Sequence, residues 1–347
     1  MSILASQARR LEQTTGANET HGPDHDHVPA SERIAVFVGV FLPPLGLLVA
    51  IIYYWNRGVS PLDVALMLAM YTLTLLGITV GYHRLFTHRA FETNAVVRFL
   101  LAALGSMAWQ GPVIQWCAMH RRHHQTSDRE GDPHSPHHHP YGRGAIAALR
   151  ALWRAHAGWL FEAEPKDLAR SVHDLLGDPV IRIADRLFWV FVVAGLVLPG
   201  VVALIITQSW TAFFTGILWG GLVRMCLTHH VTGSINSICH IWGAKAYASN
   251  DESRNNVIFG IVSFGEGWHN NHHAFPTSAR HGLKWYQLDI SWLFISTLKL
   301  LGLAWNVRLP SAAAMKAKAK KPARAPEPEE SGISVVSPLS PPAGADA

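Results

Sequence analysis

The sequence has 347 residues, of which 15% are charged and 49% hydrophobic, and its formal net charge is +5. Soluble domains carry about 25% charged residues, so the balance excludes a chain of ordinary soluble domains, and its apolar content excludes a disordered or collagen-like one. Three cysteines are too few for a disulfide framework or a cysteine-rich zinc or iron–sulfur site, whereas 21 histidines demand a reason.

In chain order, residues 1–32 are polar, have no apolar run after Arg9 and Arg10, and read as a disordered tail without a cleavable leader. Residues 34–56 carry no charge and are long enough for one span at about 20 residues per bilayer. Pro43-Pro44 should kink that span, which membrane helices tolerate. A second span is expected over 62–82, followed by His83 and His88. Residues 99–119 are again uncharged, but contain Gln110, Gly111-Pro112 and Gln115, and His120, His123 and His124 follow them. A crossing here would separate the two histidine groups by a bilayer of about 30 Å. Residues 96–119 are therefore read as an in-plane or re-entrant segment, with a fifth span as the alternative. His137-His138-His139 follow a proline and read as a solvated loop, and His156 and His173 show no partners.

Residues 187–223 are uncharged over 37 positions, about 55 Å as one helix and too long for the hydrocarbon core. They read as a hairpin broken near Gln208-Ser209-Trp210, with spans over 187–207 and 211–231. His229 and His230 lie near the end of the second arm, where approach to a site and plain packing are both open. Residues 286–305 are apolar but contain Asp289 and Lys299, and read as a helix packed on the cap or lying at the interface. Residues 310–347, rich in Ala, Pro, Ser and Lys, read as a disordered tail whose lysines are solvated or touch lipid. A single membrane domain over 33–309 remains. Arginines concentrate on the histidine side of the four spans, so the positive-inside rule makes that side and both termini cytoplasmic. The basic charge is thus a topology signal, and no nucleic-acid motif accompanies it.

Histidines recur at ligand spacing. His120, His123 and His124 share one helical face, as do His269, His272 and His273. His83 and His88, five apart, turn through about 140° on an ideal α-helix and need the helix to end or bend. Asn236 and His240 are four apart beyond the last span. Nine imidazoles exceed one metal, but suit two metals with four or five nitrogens each. Glu92, Asp128, Asp132 and Glu266 flank the clusters and are candidates to orient imidazoles, with surface ion pairs as the alternative.

These residues resemble the membrane-bound fatty acyl desaturases, in particular the Δ9, stearoyl-CoA-desaturase-like branch. The resemblance is carried by Gly77 through His88, Trp116 through His124, Asp132-Pro133-His134, Asn236 through His240, and Gly265 through Pro276, and runs from about residue 35 to 308. It implies an all-α membrane protein with four transmembrane helices and a cytoplasmic helical cap around two irons. The nine ligands it implies are His83, His88, His120, His123, His124, His240, His269, His272 and His273, with Asn236 holding a metal-bound water. It also implies that Gln110, Trp116 and Thr232 shape the acyl tunnel, and that Arg224 stands where the family places an intramembrane arginine, a candidate to support the metal ligands, with a helix-pinning salt bridge as the alternative. O2 is the implied co-substrate, no side chain beyond the ligands is catalytic, and electrons come from a separate protein such as a ferredoxin, a rubredoxin or cytochrome b5. Arg121 and Arg122 are candidates to dock it. Where animal relatives hold CoA with charged residues, this chain has Ala118 and Met119, and Ala163 and Glu164, which leaves CoA, acyl carrier protein and glycerolipid open as the acyl carrier. Competing readings are a membrane hydroxylase or alkane monooxygenase, and a metal transporter or buffer, whose site should lie at the bilayer midplane.

Overall fold

The structure, a computed structural model, describes residues 30–137, 141–162 and 168–319. It is an all-α protein with four helices long and apolar enough to cross a membrane. The first, α1 (Ala30–Tyr54), contains Pro43 and Pro44 and leaves Phe37, Leu48 and Ile52 uncovered, as a helix facing lipid does. The second, α2 (Pro61–Thr87), starts with proline in its first turn and the Ser60 hydroxyl accepting from Leu62 N at 3.2 Å.

From Gly77 to Thr87 the helix α2 widens into a π-helix, whose bonds run between residues five apart. The amide of His88 donates to His83 O at 3.1 Å. The five-residue spacing that does not suit an α-helix is the natural repeat of this winding, and the two rings lie 4.8 Å apart. Glycine permits close packing here: a Cβ on Gly77 would sit 2.1 Å from the backbone N of Gly105.

Gly105 belongs to α3 (Ala95–Ser106), which is followed by α4 (Val113–Thr126). Between them, Trp109 (φ 54°) and Gly111 (φ 105°) reverse the backbone. Residues 96–119 thus fall on two helices, of 12 and 14 residues, with a turn between, each too short to span. Next come α5 (Ala145–His156) and α6 (Pro179–Arg186). The hairpin breaks where its polar residues suggest: α7 (Phe188–Thr207) ends at Gln208 in the left-handed region, and Ser209 caps α8 (Trp210–His240). Both α2 and α8 run past the expected spans, so His83 and His240 ride on helical extensions instead of loops.

Arg224, in α8, donates to three carbonyls, Gly220 O (3.0 Å), Met107 O (2.9 Å) and Gly195 O (2.7 Å). It pins helices through backbone acceptors and orients no imidazole, which corrects its reading as a metal-site candidate. Glu92 needs the same correction. It pairs in a short antiparallel ladder, Glu92–Thr93 with Ala304–Trp305, and its exposed carboxylate accepts from Trp305 Nε1 at 3.0 Å.

The cap closes with α9 (His269–Ala274), α10 (Ile290–Leu300) and α11 (Ala312–Lys318). The last of these corrects the expectation of one disordered tail over 310–347. Ser311 caps Ala314 N at 3.1 Å, the alanines favour helix, and Lys318 Nζ donates to Ala274 O at 2.7 Å instead of lying free. Residues 1–29 and 320–347 lie outside the described residues.

Gly77→Ala is expected to destabilise the fold by about 1–3 kcal/mol through overpacking, read as a lower melting temperature of the detergent-purified protein. An unchanged melting temperature would mean that α2 and α3 do not meet at this glycine.

Candidate metal centre

The nine histidines singled out by spacing converge, and they do so as two groups. His83, His88, His120, His124 and His272 have ligand atoms within 4.8 Å of one another, and so do His123, His240, His269 and His273. Helical geometry explains the division. On α4, His120 and His124 (four apart) serve the first group, and His123 the second. On α9 the assignment is reversed: His269 and His273 serve the second group, and His272 the first. Each helix therefore spans both groups, and the two sets of imidazoles interlock. Inward nitrogens nearly touch, with Nε2–Nε2 distances of 3.1 Å for His83–His272, 2.9 Å for His124–His272 and 3.0 Å for His240–His269.

Carboxylates stand behind four of the rings. Glu266 meets His83 Nδ1, Asp132 meets His123 Nδ1 at 2.9 Å, Asp128 meets His240 Nδ1 at 2.8 Å, and Asp251 meets His273 Nδ1 at 2.7 Å. A carboxylate only accepts, so each Nδ1 keeps the proton and each Nε2 turns a lone pair inward. The Nε2 atoms of His88, His123 and His273 are buried without a hydrogen-bond partner. Converging lone pairs with no protons between them are what a bound cation resolves, so the donor set fits two metal ions with nitrogen-rich shells.

Electrostatics keep most of these rings in the binding form. Burial, and then the neighbouring imidazoles, hold His88, His120, His269, His272 and His273 well below the ordinary histidine pKa. His124 moves the same way. His123 departs: burial opposes its charge, but Asp132, Asp128 and Asp251 together overcome burial and raise it. Burial likewise pushes Asp128 up, but His240, Ser135 and the Glu252 amide hold it down to about 2.

Asp128, Asp132 and Glu266 thus stand where the sequence suggested. Asp251 was missed, because nothing in its spacing from His240 distinguishes it from a surface acid. His134 and His281 were also missed as members of the site. His134 packs 4.3 Å from the His123 ring with Nδ1 lacking a hydrogen bond, and His281 has both ring nitrogens buried without a hydrogen bond, its Nδ1 3.7 Å from Glu266 Oε1. Outside the site, His137 is not merely solvated, since its Nε2 lies 2.7 Å from His240 O. His156 does have partners, Ser237 Oγ at 3.2 Å and His230 Nδ1 at 2.9 Å. His229 meets Ala108 O at 2.8 Å, while His173 is exposed. His138, His139, Ala163 and Glu164 lie outside the described residues.

A cavity of about 1510 Å³ passes His83, His120 and His269, and is also lined by Gln110, Trp116, Thr232 and Asn236. Gln110 Nε2 donates to Thr232 Oγ1 at 2.9 Å, and the Trp116 ring stacks 5.0 Å from His120. Val36, Val40 and Pro44 of α1 and Leu75 and Ile78 of α2 supply an apolar part of its wall, and Arg182, Asp185 and Arg186 also line it.

Residues 60–305 match the sequence profile of the family described as fatty acid desaturase. The chain is 43% identical over 277 residues to a hex-5-enoyl-[acyl-carrier protein] acetylenase of Moorena producens (strain JHB), covering 80% of this chain and 86% of the relative. It is 36% identical to Delta-9 acyl-lipid desaturase 1 of Arabidopsis thaliana, covering 80% of this chain and 84% of the relative. It is 37% identical to an sn-1 stearoyl-lipid 9-desaturase of Anabaena variabilis, covering 67% and 79% respectively.

Purified protein is expected to bind two metal ions per chain, and Asp132→Asn to weaken binding about 10–100-fold by freeing the His123 ring. Elemental analysis after equilibrium dialysis measures both. A single equivalent, or an unaffected variant, would break the two-group reading.

Proposed function

The chain belongs to the fatty acid desaturase family, and from that premise we propose that it inserts a cis double bond, at the Δ9 position, into a saturated acyl chain. The observation that carries this reading is the meeting of two imidazole groups, of five and four rings, with one largely apolar cavity. In this reading the two groups hold two irons: His83, His88, His120, His124 and His272 hold one, and His123, His240, His269 and His273 the other. When bound, the irons supply O2-dependent removal of two hydrogens from adjacent methylenes. The balance is one O2, two electrons and two protons consumed, with two waters formed beside the alkene.

The residues of the chain do the positioning. Where Val36, Val40, Pro44, Leu75 and Ile78 line the cavity they offer an acyl chain no polar partner, so shape decides which C–C bond lies beside the histidines. Gln110 donates to Thr232, which ties these two wall residues together, while Gln110 Oε1 is left buried without a partner. Trp116 stacks on His120 and so couples the tunnel wall to one of the rings that the cavity passes. Asn236 also faces the cavity and is assigned the metal-bound water. No side chain acts as a general base. The electrons come from a separate redox protein, and the arginine-rich face carrying the histidines is assigned to the cytoplasm. The names of the relatives span acyl carrier protein, acyl lipid and CoA as the carrier.

The acetylenase similarity favours a second reading, in which an existing double bond is oxidised to a triple bond. Expression in a desaturase-deficient host, with fatty-acid mass spectrometry and double-bond location, separates the cases. The expected product is two mass units below the saturated substrate, with the bond at Δ9. An alkyne formed from a monoene would support the second reading, and a gain of one oxygen a hydroxylase. His120→Ala, His240→Ala and His272→Ala are each expected to abolish product while the protein still inserts; full activity in all three would sink the di-iron assignment.

A further inference from the structure

Arg84 follows His83 directly and is fully buried. Its guanidinium reaches two carboxylates at once. Nη2 donates to Glu266 Oε1 at 3.1 Å, while the other oxygen of Glu266 holds His83 Nδ1. Nη1 lies 2.9 Å from Asp289 Oδ1 and 2.9 Å from Ala279 O. Asp289 in turn caps α10 at Trp292 N (2.9 Å) and accepts from His281 N at 2.7 Å and Gly282 N at 3.1 Å. One arm of Arg84 thus points toward the metal group and the other toward the cap loop. The arrangement needs a glycine at 265, where φ is +114° and a Cβ would collide with both Asp289 Oδ1 and Arg84 Nη2.

We propose that Arg84 is a positioning residue for the metal centre, acting on His83 through Glu266. Without Arg84, the second oxygen of Glu266 would face only His281 Nδ1, 3.7 Å away, leaving the carboxylate free to rotate and the His83 ring to tilt. Arg84 holds the second oxygen, so the Nδ1 proton, the ring plane and the inward Nε2 of His83 are set together. The planar fork of arginine suits this double duty, because lysine offers a single charge centre and cannot serve both carboxylates in the same geometry. The inference rests on His83 being an iron ligand.

The test uses the full-length protein purified in detergent and loaded with ferrous iron, read by iron affinity and by the Mössbauer quadrupole splitting. Arg84→Gln and Arg84→Lys are each expected to weaken iron binding about 10–100-fold and to alter the signal of one of the two irons. Glu266→Gln should do the same, and the Arg84→Gln/Glu266→Gln double variant should bind no worse than Glu266→Gln alone. Asp289→Asn, which weakens only the cap-loop arm, should leave affinity and spectrum unchanged. Wild-type affinity and spectrum in either Arg84 variant, additive losses in the double variant, or an equal loss in Asp289→Asn would overturn the proposal. Recovery of the Arg84 variants only as aggregate would overturn it too, since the residue would then be needed to fold. A wild-type chain that binds no iron sinks the metal assignment itself, whatever Arg84 does.

Discussion

An imidazole can turn a lone pair toward a metal only if its other nitrogen keeps the proton, and a buried proton donor needs an acceptor. The cap is built around that constraint. Glu266, Asp132, Asp128 and Asp251 come from three different stretches of chain, yet each ends on the outer nitrogen of a histidine. The acids are themselves held: Asp132 accepts from the amides of Asp128 and His134, and Asp128 from Glu252 N and Ser135. A ring, its carboxylate and the loop behind it therefore move as one unit. Burying so many ionisable groups is tolerable because nearly every charge has a partner, and because burial keeps most of the rings neutral.

The membrane helices answer to the same constraint. Nitrogens that must approach within a few ångströms cannot hang from flexible loops, and α2 and α8 carry His83 and His240 on rigid continuations of the spans. The π-helical winding at the end of α2 brings His83 and His88, five apart, together where the helix closes. Small residues set the approach of neighbouring helices: Gly77 against Gly105, Gly220 against Pro199, and Gly216 against the Pro199 carbonyl. Inside a bilayer such contacts, with buried hydrogen bonds like those of Arg224, stand in for hydrophobic association.

Much of the candidate site was legible because ligand spacing is local. His120, His123 and His124 can only cluster, whatever surrounds them, and so can His269, His272 and His273. Their neighbours Asp128, Asp132 and Glu266 were legible for the same reason. Asp251 was not, because it reaches His273 from 22 positions away in a loop with no period. Glu92 and Arg224 were misread in the opposite sense: one flanks a histidine pair and the other carries a charge inside a span, but their partners are a tryptophan indole and backbone carbonyls. The helix Ala312–Lys318 was hidden by composition, since alanine and lysine suit a solvated tail and a docked helix equally well.

The sequence by itself determined the class of protein, the number of helices able to cross a membrane, and the side of them on which the histidines gather. Those properties follow from hydropathy and from spacing along a single helix. The division into five and four, the carboxylates behind four of the rings and the cavity beside them belong to the tertiary structure. They depend on the angles at which α2, α4, α8 and α9 meet, and a one-dimensional pattern carries no information about where two distant helices cross. The one-letter code shows which side chains can bind a metal; only packing decides which of them share one.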